Sequence, residues 1–415
     1  MSLMSVVSAT FSGAEKILEG VLERTGLPSV DDAALAVRAA ERSGMSEAAI
    51  VKAFSARPSV FNSFTRDRER AVAHLKVEVA EAVARDGLVI SGFCALLVPE
   101  SVSHALRICL VADLYSRLEL AKRVADLGDK AATREIRRHD EDLAAWAKDH
   151  RGSDDPWAPS LYDIVLPTDK TPAADAVALI VESLGRQAVQ PTEASRRAVE
   201  DFLVAARVER ELAAAGHHVG VACSRGHVTL TINKHVLMLG RLEDELKEIA
   251  GPVEGVRGVE TRVGRDFYQT DIYRKVDFET PSRVLLVDDE REFVQTLSER
   301  LEMRDVGSAV AYDGESALQM VEQDEPDVMI LDLKMPGIDG IEVLRRVKDT
   351  NPHIEVIILT GHGSDQDCKT CMELGAFAYL QKPVDIEALS ETLRKANEKA
   401  KESARLRARK DDRRS

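Results

Sequence analysis

The chain has no uninterrupted apolar run of about 18 residues, so no membrane-spanning helix is expected. Its first residues lack a basic stretch followed by an apolar core, and no secretion leader is expected. An excess of positive charge is missing too: 56 Lys and Arg face 71 Asp and Glu, a net charge of −15, which argues against nucleic acid as a general partner. Cysteine is scarce, five in 415 residues, and scattered apart from Cys368 and Cys371. That lone CxxC has only His353 and His362 nearby, too few for a zinc site, and reads as two ordinary thiols in a reducing cytosol. No Walker GxxxxGK[ST], helix-turn-helix or cyclase pattern occurs, and no internal repeat. The length suffices for two to four domains.

What is present centres on Asp327-Val328-Met329-Ile330-Leu331-Asp332-Leu333-Lys334-Met335-Pro336-Gly337. An apolar run ending in an aspartate and a Pro-Gly turn reads as a strand buried on both faces of a parallel sheet. Upstream, Arg283-Val284-Leu285-Leu286-Val287 runs into Asp288-Asp289-Glu290; downstream, Val356–Leu359 ends at Thr360-Gly361 and Ala378–Leu380 ends at Lys382-Pro383. Helical patterns alternate with these strands, as with Phe293, Leu297 and Leu301, which predicts βαβ units. Right-handed crossovers then bring the acids, the hydroxyl and the ammonium to one sheet edge. Carboxylates within roughly 4 Å repel by about 4 kcal/mol per pair at a surface-like dielectric. A hard dication such as Mg²⁺ removes that cost, and a phosphoryl group held there faces Asp332 as nucleophile, with Lys382 and Thr360 on its oxygens.

Residues 282–400 resemble the receiver domain of two-component response regulators. The resemblance rests on Asp288-Asp289, Asp332 with Met335-Pro336-Gly337 and Asp339-Gly340, Thr360-Gly361, Gly375-Ala376 and Lys382-Pro383. It implies a flavodoxin-like (βα)5 fold and phosphoryl acceptance on Asp332 from a sensor histidine kinase or phosphotransfer protein. It also implies Mg²⁺ held by Asp288, Asp289 and Asp332, Thr360 as phosphate sensor and Tyr379 as switch aromatic. Oligomerisation through the receiver stays open.

At the other end, Val6-Val7-Ser8-Ala9-Thr10-Phe11-Ser12-Gly13-Ala14 predicts strand, turn and helix, with Ser12 and Gly13 as a weak candidate for nucleotide phosphate. Strands are expected at Gly87–Gly92 and Leu106–Val111, and a final helix over 173–184. Residues 4–185 look like the cytidylate-kinase-like family of the P-loop nucleoside monophosphate kinase fold. The likeness lies in the order of the Ser12-Gly13 loop, Leu27-Pro28 with Asp31-Asp32, the Gly87–Gly92 strand, an Arg-rich lid at Arg137-Arg138-His139-Asp140, and Tyr162-Asp163 with Thr168-Asp169. Ala14 stands where that family has glycine, and Ser91-Gly92-Phe93 where it has Gly-Arg-Gly. A loop that cannot bring its N–H groups round the phosphates loses affinity for them, and a missing arginine loses charge stabilisation. The domain therefore reads as a pseudokinase.

Residues 186–200 read as a polar linker running into a helix over 194–215. A hairpin about Ser224-Arg225-Gly226 follows, then a helix over 236–250 and a strand near Val256–Val263. This α-β-β-α-β order, with Gly226-His227-Val228-Thr229-Leu230 and Val256-Arg257-Gly258-Val259, is similar to a BON domain, a family associated with membranes or protein interaction. No basic or apolar membrane face is visible, which favours a spacer or docking role. His217, His218, His227 and His235 fall on different elements and are not read as metal ligands.

The expected architecture is a multidomain α/β chain: a degenerate kinase-like parallel domain (1–186), a linker helix and small α+β BON-like domain (187–268), a linker (269–281), the receiver (282–400) and a basic tail (401–415). The expected function is cytoplasmic phosphorelay signalling through protein contacts with an unnamed downstream partner. The alternative is an active CMP-type nucleoside monophosphate kinase gated by the receiver, with nucleotide as a second ligand beside Mg²⁺.

Overall fold

The computed structural model describes residues 3–57, 59–85, 87–234, 236, 238–264, 267, 283–302, 306–361 and 364–411. The expected linker 269–281, His235 and His362 lie outside the described residues. The chain forms two units: Met1–Pro58 with Asp67–Arg274, and Ser59–Arg66 with Lys275–Ser415.

The first unit opens with β1 (Leu3–Ser8), α1 (Ala14–Thr25), β2 (Ser29–Val30), α2 (Asp32–Ser43) and α3 (Glu47–Lys52). The short α4 (Asn62–Thr65) falls in the segment that belongs to the second unit. The first resumes with α5 (Asp67–Ala84), β3 (Val89–Ser91), β4 (Ala105–Val111), α6 (Leu114–Ala125), α7 (Asp129–Arg151), β5 (Ile164–Pro167) and α8 (Ala173–Leu184). The strands make one sheet, β2-β3-β1-β4-β5, with every pairing parallel. Alternation along β1 feeds two cores: Leu3 and Val7 join Leu35, Leu75 and Trp146, whereas Met4 and Val6 join Ile17, Val21, Val177 and Ile180. Burial on both faces is what a crossover-connected parallel sheet requires.

The same unit continues through α9 (Glu193–Ala214), β6 (Gly220–Ser224), β7 (His227–Ile232), α10 (Leu239–Ala250) and β8 (Gly258–Val263). The three strands form a small sheet, β6 antiparallel and β8 parallel to β7. The hairpin turn needs positive φ at Arg225 (53°) and Gly226 (79°). Asp201 on α9 accepts hydrogen bonds from both of their N–H groups, at 2.9 and 3.0 Å, which fixes the turn on the helix. Residues 186–200 are not an open linker: Gln187–Val189 forms a 3₁₀ turn that buries Val189, and Thr192 with Ser195 makes a capping box that starts α9 at Glu193.

The second unit runs β9 (Val284–Val287), α11 (Arg291–Glu302), β10 (Ser308–Ala311), α12 (Gly314–Gln323), β11 (Val328–Leu331), α13 (Gly340–Thr350), β12 (Glu355–Thr360), α14 (Asp365–Glu373), β13 (Ala378–Gln381) and α15 (Ile386–Asp411). Its sheet is parallel in the order β10-β9-β11-β12-β13, a doubly wound, flavodoxin-like arrangement. Leu285, Val287, Met329 and Leu331 bury on one face, and Val284, Leu286, Val328 and Ile330 on the other. Phe61, from the short Ser59–Arg66 segment of this unit, is wholly buried in the first of these cores.

Candidate functional site

Parallel pairing of β9, β11, β12 and β13 lines up their carboxyl ends, and the chemistry sits just past each. The Asp332 N–H donates to Val287 O (2.9 Å), the Asp288 N–H to Ala311 O (3.2 Å) and the Lys382 N–H to Thr360 O (3.0 Å), so each functional residue continues a strand ladder. After β11 the chain turns through Gly337 (φ 82°) into α13, whose N-cap Asp339 accepts from the Glu342 N–H. Gly340 is required there: a Cβ would lie 2.1 Å from Asp332 O. The Pro-Gly and Asp-Gly signals thus place α13 close against the aspartate.

Carboxylate oxygens of Asp288, Asp289 and Asp332 lie within 4.8 Å of one another. Asp288 and Asp332 are buried, and Asp289 opens to solvent. Lys382 Nζ is 2.6 Å from Asp288 Oδ2, 3.2 Å from Glu290 Oε1 and 3.7 Å from Asp332 Oδ2. Burial pushes the Asp288 carboxyl above its ordinary range, although the Lys382 hydrogen bond pulls the other way. Burial also opposes the Lys382 charge, but the bond to Asp288 and the charges of Asp288 and Asp332, with Glu290 adding to them, push its pKa up, so it stays an ammonium. One ammonium against three clustered carboxylates leaves negative charge over, which suits a hard dication with oxygen ligands.

The Leu333 N–H holds Asp332 Oδ1 at 2.8 Å, leaving Oδ2 as the oxygen that faces Lys382. Thr360 closes β12 and is wholly buried. Tyr379 on β13 is half-buried against the core of that face, and its hydroxyl has no hydrogen-bond partner among the described residues. Strand ends and turns mark these residues in the sequence, but nothing local marks the lysine's ties to Glu290 and to the Phe293 ring. Glu290 was legible only as a third acid, and Phe293 only as helix periodicity.

In the first unit the Ser12-Gly13 turn is five residues, 9–13, between β1 and α1. Phe11 (φ 55°) and Gly13 (φ 76°) fold it tightly. The Ser12 N–H is spent on Ala9 O (3.2 Å). Two more of the turn's carbonyls are taken: Thr168 Oγ1 donates to Ser12 O (2.5 Å) and Arg117 Nε to Thr10 O (2.8 Å). Arg117 is buried and also grips Asp140 through two 2.8 Å bonds. The turn borders a cavity of about 550 Å³ that Lys16 and Thr168 also line, and the buried Ser12 Oγ has no partner among the described residues.

At Ser91-Gly92-Phe93, Asp32 accepts from the N–H groups of Phe93 and Cys94, both at 2.8 Å. The Phe93 ring packs beside Phe54 and Trp146, with centroids 5.3 and 6.2 Å away. Arg137 and Arg138 are exposed on α7, Arg138 paired with Glu135. Cys371 is buried on α14, and burial raises its thiol pKa to about 11.

Among the described residues no helix is long and apolar enough to cross a membrane. The cytidylate kinase-like family matches residues 8–170, and the response regulator receiver domain family matches residues 284–394. Sporulation initiation phosphotransferase F of Bacillus subtilis (strain 168) is 35% identical over 113 residues, 27% of this chain and 91% of that protein. Response regulator MprA of Mycobacterium avium (strain 104) is 35% identical over 112 residues, 27% of this chain and 49% of the relative. The chain thus spans about half the length of that curated relative. Among solved structures, a response regulator receiver domain protein from Clostridium thermocellum shares 36% identity, covering 28% of this chain and 95% of its own, with a TM-score of 0.28. Through residues 284–394 the chain belongs to the response regulator receiver domain family.

Proposed function

We propose that the chain is a two-component phosphorelay protein whose second unit accepts a phosphoryl group on Asp332. The observation that carries this reading is the cluster itself: three carboxylates within 4.8 Å, with Lys382 Nζ 2.6 Å from Asp288 and 3.7 Å from Asp332. Mg²⁺ would be held by Asp288, Asp289 and Asp332, and when bound it supplies charge neutralisation and a fixed oxygen for the incoming phosphoryl group. Asp332 Oδ2 is the attacking oxygen, since Oδ1 is tied to the Leu333 N–H. The Lys382 ammonium pairs with a phosphoryl oxygen and the Thr360 hydroxyl donates to another, so the chemistry is positioning and charge balance.

The donor is a sensor histidine kinase or a phosphotransfer protein in the cytoplasm. On phosphorylation Thr360 moves toward the phosphoryl group and Tyr379 turns inward, altering the surface of α14, β13 and α15 for a downstream protein. Acetyl phosphate or beryllofluoride applied to the wild type and to Asp332→Ala tests the assignment; an equal response of the two rejects it.

For residues 1–186 the reading is a pseudokinase. Support comes from a tight turn whose Ser12 N–H is already spent on Ala9 O, and from Gly92, which offers no guanidinium at the middle position of Ser91-Gly92-Phe93. Calorimetry with ATP is the direct check: binding at Ser12 and Gly13 followed by turnover with a nucleoside monophosphate would instead favour a receiver-gated kinase. Residues 187–268 act as a BON-like docking spacer, supported by their α-β-β-α-β order. The domain limits 269–281, 282–400 and 401–415 belong to the same proposal.

A further inference from the structure

Lys382 carries its charge on a flexible four-carbon stem with many rotamers, so keeping it beside Asp332 requires more than one contact. Its shortest contact is Asp288 Oδ2. That carboxylate also belongs to the set able to ligate a dication, and a dication bound there repels the ammonium and weakens its hold on Asp288. Of the lysine's other contacts, Glu290 has a side chain 67% exposed and is screened by solvent. The ring of Phe293 is different. It stands in the first turn of α11, packed against the core that holds Val294 and Leu297, and its centroid lies 4.3 Å from Lys382 Nζ. A ring face attracts an ammonium through its quadrupole and does not compete for metal ligands. The lysine side chain is only 11% exposed, so this attraction acts with little water between.

We propose that Phe293 is a positioning residue for phosphoryl uptake: its ring is the seat that keeps the Lys382 ammonium beside Asp332 once Asp288 is given over to the dication. The inference rests on the phosphoacceptor reading above and adds to it a residue that touches neither metal nor phosphate. Ring chemistry is what matters, so tyrosine fills the role and leucine, similarly apolar, does not.

The test uses the full chain, with acetyl phosphate and Mg²⁺. Phosphorylation of Asp332 is expected to slow roughly two- to thirty-fold in Phe293→Leu and to stay within about twofold of wild type in Phe293→Tyr. Phe293→Met carries the same expectation should leucine disturb the core. In protein labelled with ¹³C-lysine, the Lys382 ε-methylene protons, assigned through Lys382→Arg, should show an upfield ring-current shift. That shift should persist at saturating Mg²⁺ in wild type and Phe293→Tyr, and vanish in Phe293→Leu. Wild-type rates in the leucine and methionine variants, or collapse of the shift when Mg²⁺ saturates the wild type, would overturn the seat. Absence of phosphorylation in the wild type, or its persistence in Asp332→Ala, would instead remove the underlying reading and the inference with it.

Discussion

Replacing Lys382 by methionine keeps the stem and removes the ammonium that faces Asp288 and Asp332 at 2.6 and 3.7 Å. At an effective dielectric of about 20 these contacts are each worth roughly 4–6 kcal/mol before desolvation. Glu290 adds little because it is largely solvated. Both aspartate side chains are only 6% exposed, so the variant leaves buried carboxylates uncompensated, a change that typically costs about 3–5 kcal/mol. For a unit of this size that lowers the melting temperature by on the order of 10 °C. Scanning calorimetry in EDTA is the assay, because both tryptophans, Trp146 and Trp157, lie in the first unit and report nothing on the second.

Two dependences sharpen the test. Mg²⁺ should restore more stability to the variant than to wild type, since a ligand stabilises through its affinity for the native state and no ammonium competes in the variant. The pH dependence has a definite sign. Asp288 already has a folded pKa above its ordinary 3.8, and loss of the lysine raises it further. A carboxyl raised in the fold costs stability as pH climbs from the unfolded pKa through the folded one. The deficit is therefore full at pH 7 and shrinks toward pH 4. A variant as stable as wild type in EDTA at pH 7, or an equal gain from Mg²⁺ in both, would refute the coupled-charge account of the site.

Three further outcomes are expected. Arg117→Ala should destabilise the first unit by about 3–5 kcal/mol, read by tryptophan fluorescence in guanidinium, and Arg117→Lys should recover little because lysine cannot supply the paired bonds to Asp140. Burial, with Lys76 adding to it, holds His150 at a pKa of about 3, so its neutral form is favoured in the fold. Stability is then lost as pH falls below about 6.5, by about 2 kcal/mol between pH 7 and pH 5, and His150→Phe should flatten that slope; an unchanged slope contradicts the assignment. Asp332→Asn should abolish the slow-migrating phosphoprotein band on phosphate-affinity gels without lowering the second unit's melting temperature by more than a few degrees.

Much of the second unit was legible in sequence because its information is local. Each strand is a short apolar run, each chemical residue follows one directly, and turn chemistry such as Asp339-Gly340 sits where the backbone needs it. The strand β10 is not legible that way, because Ser-Ala-Val-Ala is too small and too short to carry an apolar signal. In the first unit the helix expected over 173–184 is where its period puts it, Ala173–Leu184. The capping box at Thr192 and Ser195 was present in the residues, yet polarity made the stretch read as linker.

By itself, then, the order of residues determined the parallel strands, the acids and lysine at their ends, and the family of the second unit, because strand period and turn chemistry act over a few neighbours. Tertiary structure alone decided which partners those groups meet. Lys382 divides its charge among Asp288, Glu290 and Asp332 over a Phe293 ring about ninety residues upstream. Arg117 closes the Thr10 carbonyl, and Phe61 joins the core of a unit that otherwise starts more than two hundred residues later. Such pairings depend on packing across the sheet, where distance along the chain carries no information.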